Sequence, residues 1–417
     1  MPINLQTKII LFSILTISLS SCHHDELKEK GQIVNDKPLS VPVSRSKLFL
    51  ILNNNKYEFG ITKPDSSQLV VGISKLLIVD NHLFILDVKS NNLFCFNING
   101  TIQWSWNNSK EGKGPLEHDR LVDFSVRNKK IYLLNKLNEI LELDYNGKFI
   151  SSKRIDMRIP YLLVNLLYVN ENSQVVAYSN DLNEENEIPY SFATLDNQLT
   201  KIESVYLKKR YAKGDNVWLS SAFPLQAFTD NTGFFYAATL NDTIYTYKSG
   251  SLKRSYTVDF GDNKIPESYV NQKEHPFDEF LKKDYGGNIC NIFQTDSLLS
   301  FKTTIAGQPY FHFFCKINKR VKNFKYILFE TTFFTSVVQF IGSTHDRYYF
   351  IVEPDDLLSA YRYTKEKFFK SVSKTAFDQI IQTKDPVYAQ LLKGINIYSN
   401  QIIVSVKISP GKLFTND

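Results

Sequence analysis

The residues best suited by type and spacing to do chemistry lie in Ser109–His118, SKEGKGPLEH, and just beyond it. Lys113, Glu117, His118, Asp119 and Arg120 place five polar groups of both signs within eight residues. Glycines flank the lysine, so a phosphate cradle is one reading. That chemistry needs a Gly-Lys-Ser/Thr turn running from a strand into a helix, so that backbone amides converge on the anion. Here Lys113 is followed by Gly114 and Pro115, and proline removes an amide where the cradle would need one. The chain then enters EHDRLVDFSV, a loop leading into a strand. The segment reads as a connection in which Gly112 and Gly114 permit tight bends and Pro115 fixes φ. In that setting Lys113, Glu117, His118 and Arg120 are candidate contacts for an anionic or sugar ligand. Asp123 is expected to satisfy turn amides.

Other chemistries find less support. The sequence holds no Gly-x-Ser-x-Gly nucleophile elbow and no His-Glu-x-x-His pair, so no catalytic residue is assigned. His82, His118, His275, His312 and His345 are scattered and read as surface or turn residues. His23 and His24 are adjacent in a polar stretch, an arrangement that rarely holds a metal; the metal ligands, if any, are unknown. Among four cysteines there is no Cys-x-x-Cys. Cys95 in LFCF and Cys315 in FFCK lie in strand-like apolar runs and read as buried thiols, with a Cys290–Cys315 bridge as the alternative. Trp104 and Trp106 alternate along a strand and share one face. They read as packing between sheets; stacking on sugar rings, in which Trp218 could join, is the other reading.

The elements that must position these residues begin with the N-terminus, MPINLQTKIILFSILTISLSSC. Lys8 is followed by an apolar stretch too short to cross a bilayer, then by Leu19-Ser20-Ser21-Cys22. This order resembles a bacterial lipobox, which implies cleavage before Cys22 and acylation of that cysteine. On this reading 1–21 is a signal peptide and 22–40 a lipidated flexible tether, polar and charged until Val41. The implied partner is a membrane, reached through acyl chains that bury ~0.8 kcal/mol per CH₂. The implied location is the bacterial outer membrane. Asp25-Glu26 resembles the surface-export signals of Bacteroidetes lipoproteins, so the periplasmic side and the cell surface both remain open.

Composition narrows the class. Aromatics make up 14% of the chain, with 31 Phe and 23 Tyr, which suits half-buried strand faces. The net charge of +6 is spread without basic blocks, which excludes a nucleic-acid partner because that needs a clustered basic face.

Repeats supply the architecture. Leu76–Trp106 and Asp123–Ile155 share one pattern of four strands, with Asn99-Gly100 and Asn146-Gly147 as expected type I′ hairpin turns. Asp87 and Asn135 occupy matching turn positions. Weaker copies run over Val175–Val205, Phe234–Val258 and Leu298–Ile327. A sixth begins near Val337, is interrupted, and resumes at Ile395–Ile408. Four-stranded units of about 40–50 residues are the signature of propeller blades. The strand-like KLFLIL and YEFGITK before the first repeat are expected to complete the last blade. Helical insertions are expected near 276–284 and 355–393. In the second, Asp385 would be the N-cap, Pro386 N1 and Gly394 C′.

The lipobox-like start, GKGPLEH followed by DFSV, and LNDTIYTY followed by YTVDFGDNKIPE together resemble the six-bladed β-propeller lipoproteins of Bacteroidetes, with NHL-like repeats. The resemblance implies an all-β six-bladed β-propeller over 41–417. Leu116 and His118 depart from that family's glycine and tyrosine. The implied function is a non-catalytic envelope module binding a glycan, a peptide or an envelope protein, with no cofactor. The alternative is a metal-dependent hydrolase or lyase of the lactonase or amidating-lyase type, with a divalent cation such as calcium in the central channel.

Overall fold

The computed structural model describes residues 39–41, 47–107, 120–155, 168–169, 175–178, 190–208, 225–227, 233–237, 241–270, 283–396 and 398–414. The described strands fall into six sheets. The first is a meander of Lys75–Val79, His82–Asp87, Asn92–Asn97 and Ile102–Asn107. The second holds Leu121–Arg127, Lys130–Asn135, Glu139–Asp144 and Phe149–Arg154. The third holds Tyr168–Val169, Val175–Tyr178, Tyr190–Leu195 and Ile202–Lys208. The fourth begins at Leu225–Ala227 and ends at Ser251–Asp259, and the fifth runs from Gly286–Gln294 to Val321–Glu330. The sixth is Phe340–Ser343, Tyr348–Val352, Ile402–Lys407 and, last in order, Glu58–Thr62.

The middle strands are apolar on both faces, as in HLFILD and NLFCFN, so a sheet standing alone would expose one greasy face to water. Six apolar clusters cover those faces, each spanning two neighbouring sheets. Phe84 and Leu93 meet Phe124 and Leu141 between the first and second sheets. Leu134 and Ile140 meet Val169 and Leu195. Phe192 and Tyr206 meet Phe234 and Tyr247. Phe235 and Ile244 meet Ile292 and Leu299. Phe313 meets Phe340 and Tyr348 between the fifth and sixth. The last cluster returns to the start: Tyr349 and Ile403 meet Leu76, Ile85 and Phe94. The sheets thus form a closed cycle, a mainly-β propeller.

Closure depends on the N-terminal segment. YEFGITK behaves as expected: Glu58–Thr62 pairs antiparallel with Ile402–Lys407. KLFLIL does not join the last sheet. Lys47–Asn53 pairs in parallel with Phe324–Glu330 at the rim of the fifth sheet, and Leu39–Ser40 pairs in parallel with Val258–Asp259 at the rim of the fourth. The reason is geometric. Each sheet accepts a strand at its outer edge, and the chain passes three consecutive edges before it enters the first sheet.

The turns also differ from expectation. Gly100 and Gly147 have φ of 91° and 79°, but Asn99 and Asn146 are not left-handed. The strand register shifts beside each turn, at Cys95/Phe96 and Glu142/Leu143, so both are bulged rather than type I′. Among the described residues, two consecutive left-handed residues occur instead at Asp80–Asn81, Asn128–Lys129, Ser249–Gly250 and Ala306–Gly307.

The second insertion forms three helices, Pro354–Phe368, Lys374–Lys384 and Pro386–Leu392. Asp385 caps the third by accepting from the Tyr388 amide, Pro386 follows it, and Gly394 has φ 74°. Leu357, Phe377, Ile381, Tyr388 and Leu391 bury themselves in the cluster of the fifth and sixth sheets. Lys63, just after the closing strand, donates to the Gln390 and Lys393 carbonyls at 2.5 Å each, which ties the insertion to the ring closure. Of 276–284, only 283–284 fall among the described residues, as part of a turn.

Cys95, Cys290 and Cys315 are free and buried, so the Cys290–Cys315 bridge is not formed. His312 is neither a surface nor a turn residue. It is 1% exposed, stacked on Phe301, with Nε2 2.7 Å from Thr303 Oγ1 and Nδ1 2.9 Å from Asn323 Oδ1. It lies in the half of QPYFHFFC that is buried on both faces, two residues from Phe314 of the cluster between the fourth and fifth sheets.

Candidate functional site

One open depression of about 940 Å³ stands out among the described residues. It is built from the turns that join the first two strands of the sixth, first and second sheets. Asp80–Asn81 connects Lys75–Val79 to His82–Asp87, and Asn128–Lys129 connects Leu121–Arg127 to Lys130–Asn135. Both pairs are left-handed, the conformation that short polar side chains tolerate best and that matches the strand twist. Thr344–Arg347 makes the third turn, closed by the Thr344 amide donating to the Arg347 carbonyl at 2.8 Å. Gly60–Thr62 of the closing strand and Ser405 complete the wall.

Charges of both signs ring the depression. Arg347 forms an ion pair with Glu58 of the closing strand and approaches Ser405 Oγ at 3.4 Å. Asp346 lies 3.6 Å from Lys407 Nζ and 3.7 Å from His345 Nε2. Arg127 and Lys129 come from the second sheet, and Asp80 from the first. Tyr145 donates to the Val79 carbonyl at 3.1 Å, and its ring meets His82 edge-on. Burial pushes the Tyr145 and Tyr349 phenols above their ordinary range. Both therefore stay protonated at neutral pH and act as hydrogen-bond groups, not as bases. Among the described residues, no group of three or more His, Cys, Asp or Glu side chains is arranged to hold a metal ion.

The structure does not bring Arg120 to this depression. Arg120 is exposed at the start of the inner strand Leu121–Arg127, where its carbonyl accepts from the Lys136 amide at 2.9 Å. Arg127 lies at the other end, about 20 Å away at about 3.3 Å per residue. Lys113, Glu117, His118 and Asp119 lie outside the described residues, as do Cys22, His275 and Trp218. Among the described residues, Asp123 meets a lysine of the neighbouring sheet. Its carboxylate accepts from Lys75 Nζ at 2.7 Å, and that ammonium also reaches the Phe124 carbonyl and the Phe124 ring, bridging the first two sheets. Trp104 and Trp106 pack between the same sheets, and Trp104 Nε1 donates to the Tyr145 carbonyl.

The residues missed in the sequence were those of the first turn in each repeat. VDNH, VRNKK and THDR hold charged or amide side chains at equivalent places. The glycines that punctuate the sequence stand in the third turns, and these first turns have none.

No curated protein matches the chain. In fold it is similar to a Bacteroides fragilis protein assigned as exported, at 18% identity and a TM-score of 0.64, over 89% of this chain and 100% of that one. A Bacteroides vulgatus member of the DUF4221 family aligns at 9% identity with a TM-score of 0.40, over 67% of this chain and 91% of that one. A streptogramin B lyase aligns at 11% identity with a TM-score of 0.37, over 70% and 80%. Identities this low bear on the fold alone. At the level of sequence family, the model of the domain of unknown function DUF4934 matches residues 64–407, and the chain belongs to that family.

Proposed function

We propose that this chain is an exported, lipid-anchored binding module of the bacterial envelope. It is a six-bladed propeller that holds a small polar ligand, glycan-like or peptide-like and bearing an acidic group, in the depression formed by its sixth, first and second blades. One observation carries the binding reading. Turns from three blades converge on a depression of about 940 Å³, within the ~300–1,000 Å³ range of small-ligand sites. Arg127, Lys129 and Arg347 supply cationic donors there, and Thr62, Thr344 and Tyr349 supply hydroxyls. Such a wall recognises carboxylates and sugar hydroxyls through directional hydrogen bonds. The lipobox-like Cys22 and the exported Bacteroides fragilis relative support the envelope location. The ring of six sheets, closed by Glu58–Thr62, supports the blade count.

The test is a panel of acidic oligosaccharides and short peptides read by calorimetry and thermal shift. At least one class is expected to bind, and Arg127→Ala is expected to weaken it about tenfold or more, in line with loss of a charge-assisted hydrogen bond of ~1.5–3 kcal/mol. Binding untouched by Arg127→Ala, and lost on Arg120→Ala, would move the site to the opposite end of the inner strands.

A further inference from the structure

We propose that the rim strand Lys47–Asn53 joins two copies of this chain, pairing antiparallel with itself about a two-fold axis at Leu50. In the fifth sheet this strand is the outermost member, so one edge of Leu48–Leu52 pairs with no further strand among the described residues; at its end the Asn53 carbonyl accepts from the Lys56 and Tyr57 amides. Such edges are templates for another strand, and proteins usually blunt them with charge, proline or bulges. This edge has none of these between Leu48 and Leu52. Leu50 and Leu52 face the core, whereas Phe49 and Ile51 face outward at 41% and 40% exposure, and Leu48 is 54% exposed. The outward face continues across the sheet. Phe49 stacks on Tyr326, and Ile51 lies beside Leu328, which lies beside Val337 at 63% exposure.

A second copy fits this edge better than an arbitrary strand because KLFLILN is complementary to its own reverse. The register that pairs all seven residues sets Phe49 opposite Ile51 of the other copy, Leu48 opposite Leu52, and Leu50 opposite itself. Apolar residues meet apolar residues on both faces, and the exposed Leu48 gains a buried leucine as its neighbour. Lys47 falls opposite Asn53 of the other copy, so no like charges face each other at either end of the joint.

Sedimentation equilibrium of the full chain tests this. The expected mass at micromolar concentration is twice that of the single chain used. Phe49→Lys with Ile51→Lys places like charges opposite each other twice and should raise the dissociation constant at least tenfold. Phe49→Lys with Ile51→Glu places opposite charges there and should restore much of the association. Both variants alter exposed side chains, and circular dichroism confirms that they fold. A full chain that stays monomeric overturns the proposal. So does a dimer whose dissociation constant changes less than tenfold in the Lys/Lys variant, because it uses another surface.

Discussion

The first and sixth sheets have the same four-strand plan but opposite origins in the chain. The first is continuous, Lys75 to Asn107, with short turns between its strands. The sixth is assembled from Phe340–Val352, Ile402–Lys407 and, from the far end of the chain, Glu58–Thr62. Three helices interrupt it, and an ion pair between Arg347 and Glu58 spans its remote pieces. Both sheets bury the same kind of residue. Phe84 and Phe350 are each fully covered. Local pattern therefore suffices to build a blade, but the ring needs a joint whose partners have no local relationship. The candidate site sits at that joint, since its wall comes from the sixth, first and second sheets and from the closing strand.

The strongest way to break the comparison is to remove the joint. A chain lacking residues 1–62 keeps the first sheet whole, loses the rim strands of the fourth and fifth sheets, and leaves Ile402–Lys407 paired with Tyr348–Val352 alone among the described strands. It should lose the cooperative thermal transition of the full chain; melting within a few degrees of it would show that the joint is dispensable. Next come matched core truncations. Phe84→Ala and Phe350→Ala should each cost roughly 3–5 kcal/mol in denaturant titrations, because the ring shares its core regardless of chain order. A much smaller cost in the sixth sheet would mean that this sheet opens on its own.

Acid probes the contiguous part of the ring. Burial lowers the pKa of His312, within the meander of the fifth sheet, from the ordinary imidazole value of about 6.5 to about 4. Its neutral form belongs to the fold, so the unfolded chain binds the extra proton. Stability should fall as pH drops from about 6.5 to about 4, by on the order of 3 kcal/mol, and His312→Gln should flatten that slope. The smallest and sharpest probe is a pair of glycines. Gly100 and Gly250 have φ of 91° and 75°, but a Cβ on Gly100 would lie 2.0 Å from the Lys63 carbonyl oxygen, whereas one on Gly250 would meet nothing within 4 Å. Gly250→Ala should cost ~1–2 kcal/mol from conformation alone. Gly100→Ala should cost more, because the chain leaving the closing strand has to move.

Much of the ring was legible because the middle strands of a blade read as short continuous apolar runs bounded by turn residues. LFILD and LFCFN announce strands covered on both faces, and Asp87 and Asn135 mark matching turns that accept local amides. Asp385-Pro386 and Gly394 framed the third helix, since caps are local chemistry. The candidate site was less legible. SKEGKGPLEH concentrates polar residues in sequence, yet Arg120 stands at the far end of the inner strand from the depression. The depression draws one short turn from each of three sheets, and each turn alone is unremarkable in sequence.

Residue types and their spacing alone determined most of the strands and the capped helix, since these depend on backbone conformation and side-chain pattern over a few residues. Tertiary structure alone decided that KLFLIL borders the fifth sheet and YEFGITK the sixth, that Asp123 meets Lys75, and that three distant turns share one hollow. Those outcomes depend on which apolar faces cover one another once the ring closes, and no short stretch of chain contains that information.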